Sequence, residues 1–269
     1  MCIIAVKPQN VAIPSQEILE RIFDKNPDGA GIAYTTNGGI KIIKGIMSKG
    51  EFLKVCQKIP TKASAIIHTR ISTSGGICKE LTHPYKLTND FKELRKTNIE
   101  IKKNDFAVAH NGIFSEFGTM QNANDTMQFI ATYLTPLKEL KEKNGGKITD
   151  NDITPIINRL VNGSRLVIMA TDGEFKTYGN GWSEQNGIYY SNEGYKKPTY
   201  TYYDYWNDLE DYGGNNYNYY NEYYGTKYQP TSKGDYILTA KSLKEYENNA
   251  EVKKEKSKIQ ELFSKYSKK

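Results

Sequence analysis

The sequence predicts an α+β protein, and three observations carry that prediction. Short runs of apolar, β-prone residues recur between positions 2 and 190. Amphipathic stretches at helical spacing fall among them in blocks, so the regular strand–helix–strand alternation of a parallel sheet is missing. The chain of 269 residues is also long enough to bury the core of one large domain, with or without an appendage.

The first strand covers 2–7, an apolar run closed by Lys7-Pro8. Pro14-Ser15 signals a helix start; Ile18, Leu19, Ile22 and Phe23 form its apolar stripe, and Asn26-Pro27-Asp28-Gly29 ends it. Runs 31–36 and 40–45, joined by Asn37-Gly38-Gly39, read as a hairpin. Ser48 and Glu51 make a capping box for a second helix with Phe52, Leu53, Cys56 and Ile59 inward, which makes Cys56 a core residue. Residues 63–69 have the pattern of a buried strand and run into His68-Thr69-Arg70 and a polar, glycine-rich stretch to Gly76. A scaffold commonly hands over to a site at such a point.

The lysine-rich stretch 77–105, with Thr82-His83-Pro84 inside it, reads as a long covering loop. A strand at 106–109 delivers His110-Asn111-Gly112. Asn124-Asp125-Thr126 then caps a helix to about 143, with Phe129, Ile130, Tyr133, Leu134 and Leu137 on its core face and Pro136 as a source of a kink. A helix at 153–161 and strands at 165–170, 175–178 and 187–190 complete the body.

Composition divides the chain into a body at 1–192, a Tyr/Asn-rich low-complexity linker at 193–236 and a basic, helix-forming segment at 237–269. Between 195 and 228 there are twelve Tyr and no apolar periodicity. Of the net charge of +6, the end segment holds nine Lys against five Glu, so the body is nearly neutral. Tyrosines beside lysines are what single-stranded nucleic acid stacks on. Interspersed glutamates and the absence of arginine argue instead for a solvated or partner-docking helix and against a nucleic-acid partner. Cys2, Cys56 and Cys78 are odd in number and lack CxxC or Cys/His metal spacing, which implies a reducing, cytoplasmic setting without structural disulfides. No long apolar run suggests a membrane anchor.

Met1-Cys2 opens the chain. Alone, a cysteine at the start of a strand is a small hydrophobe. With Met1 removed, the same residue would carry a thiol nucleophile and, in its α-amine, a base of pKa ~8 that can take the thiol proton. Cys2, the Asp28-Gly29-Ala30-Gly31-Ile32 turn, His68-Thr69-Arg70-x-x-Thr73-x-Gly75, His83-Pro84, His110-Asn111-Gly112 and Asn124-Asp125-Thr126 occur in one order. In that order the chain resembles a stand-alone class II glutamine amidotransferase domain, an N-terminal-nucleophile hydrolase, over about residues 2–192.

The resemblance implies a four-layer αββα sandwich. It implies that Cys2 attacks the side-chain carboxamide of glutamine or a related amide, that ammonia leaves, and that water clears the thioester. Asn111 and Gly112 would form the oxyanion hole, Arg70 and Thr73 would take the α-carboxylate, and Asp125 the α-ammonium. The chemistry agrees: a guanidinium fork and a carboxylate together select an α-amino acid. A loop after Gly75 would act as a lid. No metal and no cofactor are implied, His68, His83 and His110 serve packing, and ammonia would pass to a separate acceptor protein. Ser72 and Met127 depart from the alanine and acidic residue usual in the pattern. Two alternatives accompany this reading: a cysteine N-acyl amidase of the same superfamily, which Arg21 on an amphipathic helix fits poorly, and a catalytically idle fold that binds through its C-terminal extension.

Overall fold

In a computed structural model of the chain, residues 1–72, 76–102, 104–118, 120 and 122–197 are described. The linker expected at 193–236 therefore lies outside them from residue 198, and the segment expected at 237–269 does so entirely. The elements are β1 (Ile3–Lys7), α1 (Gln16–Lys25), β2 (Ala30–Thr36), β3 (Gly39–Ile46), α2 (Lys49–Cys56), β4 (Ala65–Thr69), β5 (Tyr85–Lys86), α3 (Phe91–Arg95) and β6 (Asn98–Lys102). They continue with β7 (Phe106–Asn111), α4 (Asp125–Phe129), α5 (Thr135–Lys143), α6 (Thr154–Val161), β8 (Arg165–Ala170), β9 (Phe175–Tyr178), β10 (Ser183–Gln185) and β11 (Ile188–Tyr190).

The strands form two antiparallel sheets, one in the order β10-β11-β1-β4-β2-β3-β6 and one in the order β5-β7-β8-β9. Because side chains alternate across a strand, β1 feeds two different clusters. Ile3 and Ala5 join Leu19, Ile22, Phe52 and Cys56 from α1 and α2. Ile4 and Val6 join Ala107, Ala109, Val167 and Met169 from the other sheet. Burial on both faces is why β1 reads as an unbroken apolar run. A third cluster joins Phe106, Val108, Leu166 and Ile168 to Phe129, Ile130, Leu134 and Ile157.

The caps stand where the sequence places them. Ser15 accepts from the Ile18 N–H, Ser48 from that of Glu51 and Asn124 from that of Met127. Three features differ from expectation. The stretch 77–105 is not an irregular loop: a 3₁₀ turn (Lys79–Leu81), β5, α3 and β6 occupy it, with Leu81, Leu87, Phe91 and Leu94 buried. What holds it is Lys44 of β3, whose ammonium donates to Glu80 O at 2.8 Å and Leu94 O at 2.7 Å and lies 3.9 Å from the Tyr85 ring centre. Burial lowers the Lys44 pKa well below the ordinary lysine value, with partial compensation from Glu80. The second difference is β10, Ser183–Gln185, which has no apolar residue to announce it. The third lies in the long helix, which winds as a π segment over Ile130–Leu134, with the Thr135 N–H bonded to Ile130 O. Pro136 has no N–H for the regular ladder, and the widened turn sits just before it. Among the described residues no helix is long and apolar enough to cross a membrane.

Gly31 shows how tightly the 79–97 excursion is seated. A Cβ there would stand 2.1 Å from the His83 carbonyl oxygen and 2.6 Å from Lys44 Cβ. Gly31→Ala is expected to cost about 3 kcal/mol or more, because backbone atoms must yield. Urea unfolding checks this; a variant within ~0.5 kcal/mol of the parent would refute the packing.

Candidate active site

The pairing of β1 with β4 places Ile3 opposite Thr69, which brings Cys2 beside the end of β4. There Cys2 Sγ accepts from the Ile71 N–H at 3.4 Å and lies 3.5 Å from Ile71 O. Burial raises the thiol above its ordinary pKa, while the Ile71 N–H and the Arg70 guanidinium pull it down. Arg70 is itself buried, 5% exposed. Its Nη1 donates to Gly76 O at 2.8 Å and its Nη2 to Ser72 Oγ at 3.2 Å. Asp28 supports the same loop, accepting from the Ser72 N–H at 2.8 Å while its own N–H donates to Arg70 O at 3.0 Å.

Asn111 ends β7 and is 1% exposed. Its side-chain amide meets Ser191 Oγ at 2.9 Å, and that same oxygen accepts from the Ile4 N–H at 2.9 Å. Gly112 has φ +152°, and a Cβ on it would come within 2.0 Å of Ser164 Oγ, so glycine is required by both conformation and space. Asp125 heads α4. Its Oδ2 accepts from the Phe114 N–H at 2.9 Å and its Oδ1 from the Thr126 N–H at 2.8 Å, which ties the helix start to the turn after Gly112.

The three histidines cluster nearby, their rings tilted against one another. His68 and His83 have ring centres 4.4 Å apart, and His110 lies flat on Phe114 at 3.9 Å. Burial, reinforced by Arg70, lowers the pKa of His68 to about 3. Burial, then His68, does the same to His110, also to about 3. His83 falls well below its ordinary value, from burial first and then its charged neighbours. All three are therefore neutral. His110 Nδ1 pairs with Thr126 Oγ1 at 3.0 Å. No group of three or more His, Cys, Asp or Glu among those residues is placed to hold a metal.

Of the residues singled out in the sequence, Cys2, Arg70, Asn111 and Gly112 converge at the same ends of β1, β4 and β7, with Asp125 linked to them through Phe114. Thr73 lies outside the described residues, as do Ser74 and Gly75, which precede the expected lid. Arg21 donates to Tyr195 O at 2.6 Å, a packing role. Sequence reasoning missed Ser191 and Asn192; Asn192 Nδ2 donates to Cys2 O at 2.7 Å. Both follow an apolar strand directly, the signal that marked His110-Asn111-Gly112.

No protein-family model matches the chain, and no curated protein matches its sequence. Among solved structures it is similar to glutamine phosphoribosylpyrophosphate amidotransferase from B. subtilis complexed with ADP and GMP. The identity there is 15% and the TM-score 0.43, over 71% of this chain and 41% of that one. It is also similar to a structure described as the allosteric regulatory enzyme of purine biosynthesis, at 16% identity and TM-score 0.41, over 71% and 41%. The chain thus spans about two fifths of the length of each.

Neutral histidines make stability depend on pH. Their folded pKa values are depressed below the unfolded ~6.5. Their contribution is therefore complete above that value and is lost as pH falls toward about 3. Near pH 5 unfolding takes up about two protons on His68 and His110 alone, a slope of about 3 kcal/mol per pH unit. Urea midpoints should drop steeply between pH 6.5 and 5; a flat profile there would mean that the cluster is not buried neutral.

Proposed function

We propose that the chain is a class II glutamine amidotransferase-like hydrolase that releases ammonia from glutamine or a related amide, built on a four-layer αββα sandwich. The observation that carries this reading is a chain of hydrogen bonds joining residues far apart in sequence. Cys2 is bonded to Ile71 beside Arg70, and Ile4, two residues on, is bonded through Ser191 to Asn111. A thiol, a guanidinium and a carboxamide in one buried polar region are the parts that amide cleavage of an α-amino acid needs.

In this proposal Met1, 73% exposed, is removed. The α-amine of Cys2 then takes the thiol proton, through a water, and Sγ attacks the carboxamide carbon. The carbonyl electron pair becomes an oxyanion that accepts from Asn111 Nδ2 and the Gly112 N–H. Its collapse expels the nitrogen as ammonia, protonated from the α-amine, and water then hydrolyses the thioester to release the acid. Arg70, with Thr73, takes the substrate α-carboxylate, and Asp125 takes the α-ammonium. Ammonia passes to a separate acceptor protein, and the setting is a reducing cytosol in which all three cysteines stay free.

Intact mass before and after treatment with diazo-oxo-norleucine tests the reading. Expected are loss of the Met mass and one adduct that requires Cys2, is blocked by glutamine and is absent from Cys2→Ala. A processed chain that neither labels nor releases ammonia would overturn the proposal. Arg70→Lys should raise KM for glutamine by about 10- to 100-fold, the worth of a charge-assisted bidentate contact, with kcat changed much less.

A further inference from the structure

Ser191 follows β11 and is completely buried. Its N–H donates to Ile4 O at 3.0 Å and its Oγ accepts from the Ile4 N–H at 2.9 Å, so it grips β1 by both backbone groups of one residue. Asn192 adds a bond to Cys2 O at 2.7 Å and is held in turn by the Gly194 N–H at 2.9 Å. The pair thus fixes the nucleophile's strand on either side of Ile3, and Ser191 alone also reaches Asn111.

Hydrogen counting bears on what that second contact does. With Asn111 Nδ2 turned to Ser191, Oγ accepts from two N–H donors, and Asn111 Oδ1 is left buried with no donor. A serine hydroxyl carries a proton that needs an acceptor, and a buried amide oxygen needs a donor. Rotating the carboxamide by half a turn satisfies both at the same 2.9 Å separation. The Ser191 O–H then donates to Oδ1, and Nδ2 takes the buried place of Oδ1, where no protein acceptor among the described residues meets its two protons and an arriving oxygen would.

We infer that Ser191 is a positioning residue: held as an acceptor by the Ile4 N–H, it donates to Asn111 Oδ1 and so aims Asn111 Nδ2 at the oxyanion. The inference rests on the amide-hydrolysis reading above. The bonds run in one direction, from Ile4 N–H to Ser191 O–H to Asn111 N–H to the substrate oxygen, and each polarises the next. The relay begins on the strand that carries Cys2, so nucleophile and donor are set by the same backbone.

Alkylation by iodoacetamide displaces iodide and forms no oxyanion, whereas amide hydrolysis passes through one. Ser191→Ala in the full-length chain should therefore lower kcat for glutamine by about 10- to 100-fold, short of the ~10²- to 10³-fold of outright donor removal. KM and the rate of iodoacetamide alkylation at Cys2 should stay within about twofold. An unchanged kcat overturns the inference, and so does an equal slowing of alkylation, which would show Ser191 acting on the strand alone. Neutron diffraction from the deuterated parent protein reads the carboxamide even where alanine leaves the chain unfolded. Deuterons on the atom facing away from Ser191 support the inference, and deuterons on the atom facing it refute it. Failure of the hydrolase reading looks different: the parent protein releases no ammonia, whatever the neutron map shows.

Discussion

Ile3 stands opposite Thr69 across the antiparallel pairing of β1 and β4, and the site is built outward from that register. A slip of one residue would exchange Ile3 and Ala5 with Ile4 and Val6 between the two clusters they feed, and would draw Cys2 away from Ile71. Both faces of β1 are packed in the register that sets where the thiol lies. Ser191 and Asn192 hold the same strand from its other side, next to β11. The first residues of the chain, which ordinarily fray, are bonded here on both flanks.

The electrostatics follow from burying one guanidinium among groups that stay neutral. His68 and His83 are kept uncharged by burial and by Arg70, so they add no competing positive charge. The Arg70 field lowers the thiol pKa against the rise that burial causes. Lys44, the other deeply buried cation nearby, is spent on the Glu80 and Leu94 carbonyls and on the Tyr85 face. Tyr85 in turn takes a hydrogen bond from Asn124 at 2.8 Å, so the lysine that secures the 79–97 excursion also steadies the cap of α4, where Asp125 lies. By contrast, a cleft of about 550 Å³ at the start of β7 has its charges paired among themselves, Lys138 with Asp105 and Lys147 with Asp172.

What could be read from the sequence was whatever is written locally. The caps at Ser15, Ser48 and Asn124, the hairpin at Asn37-Gly38-Gly39 and the strand at 165–170 need only neighbours in the chain, and they stand where expected. His110-Asn111-Gly112 was legible because it ends an apolar strand. The excursion at 79–102 was not, since its lysine-rich composition hides four apolar anchors, and the ammonium that pins it comes from Lys44, far earlier in the chain. Ser191 follows an apolar strand as His110-Asn111-Gly112 does, but what it does there appears only when Ile4 and Asn111 meet it from 187 and 80 residues away.

The plain and the chemical readings of Asp125 turn out not to compete. Both of its oxygens hold backbone N–H groups, which is the work of a helix-start carboxylate. An ionised carboxylate offers about four lone-pair sites, and two such bonds leave acceptor capacity together with the charge. The N–H groups fix the carboxylate against rotation, so that in the proposed role an arriving ammonium would find it already in place. The Arg70 fork is likewise held, by Gly76 O and Ser72 Oγ, which in the proposed role would set it before a carboxylate arrives. Under the proposed function, bonds that look merely structural would in both cases make the side chain usable for recognition, because an unfixed charge would turn to satisfy itself elsewhere.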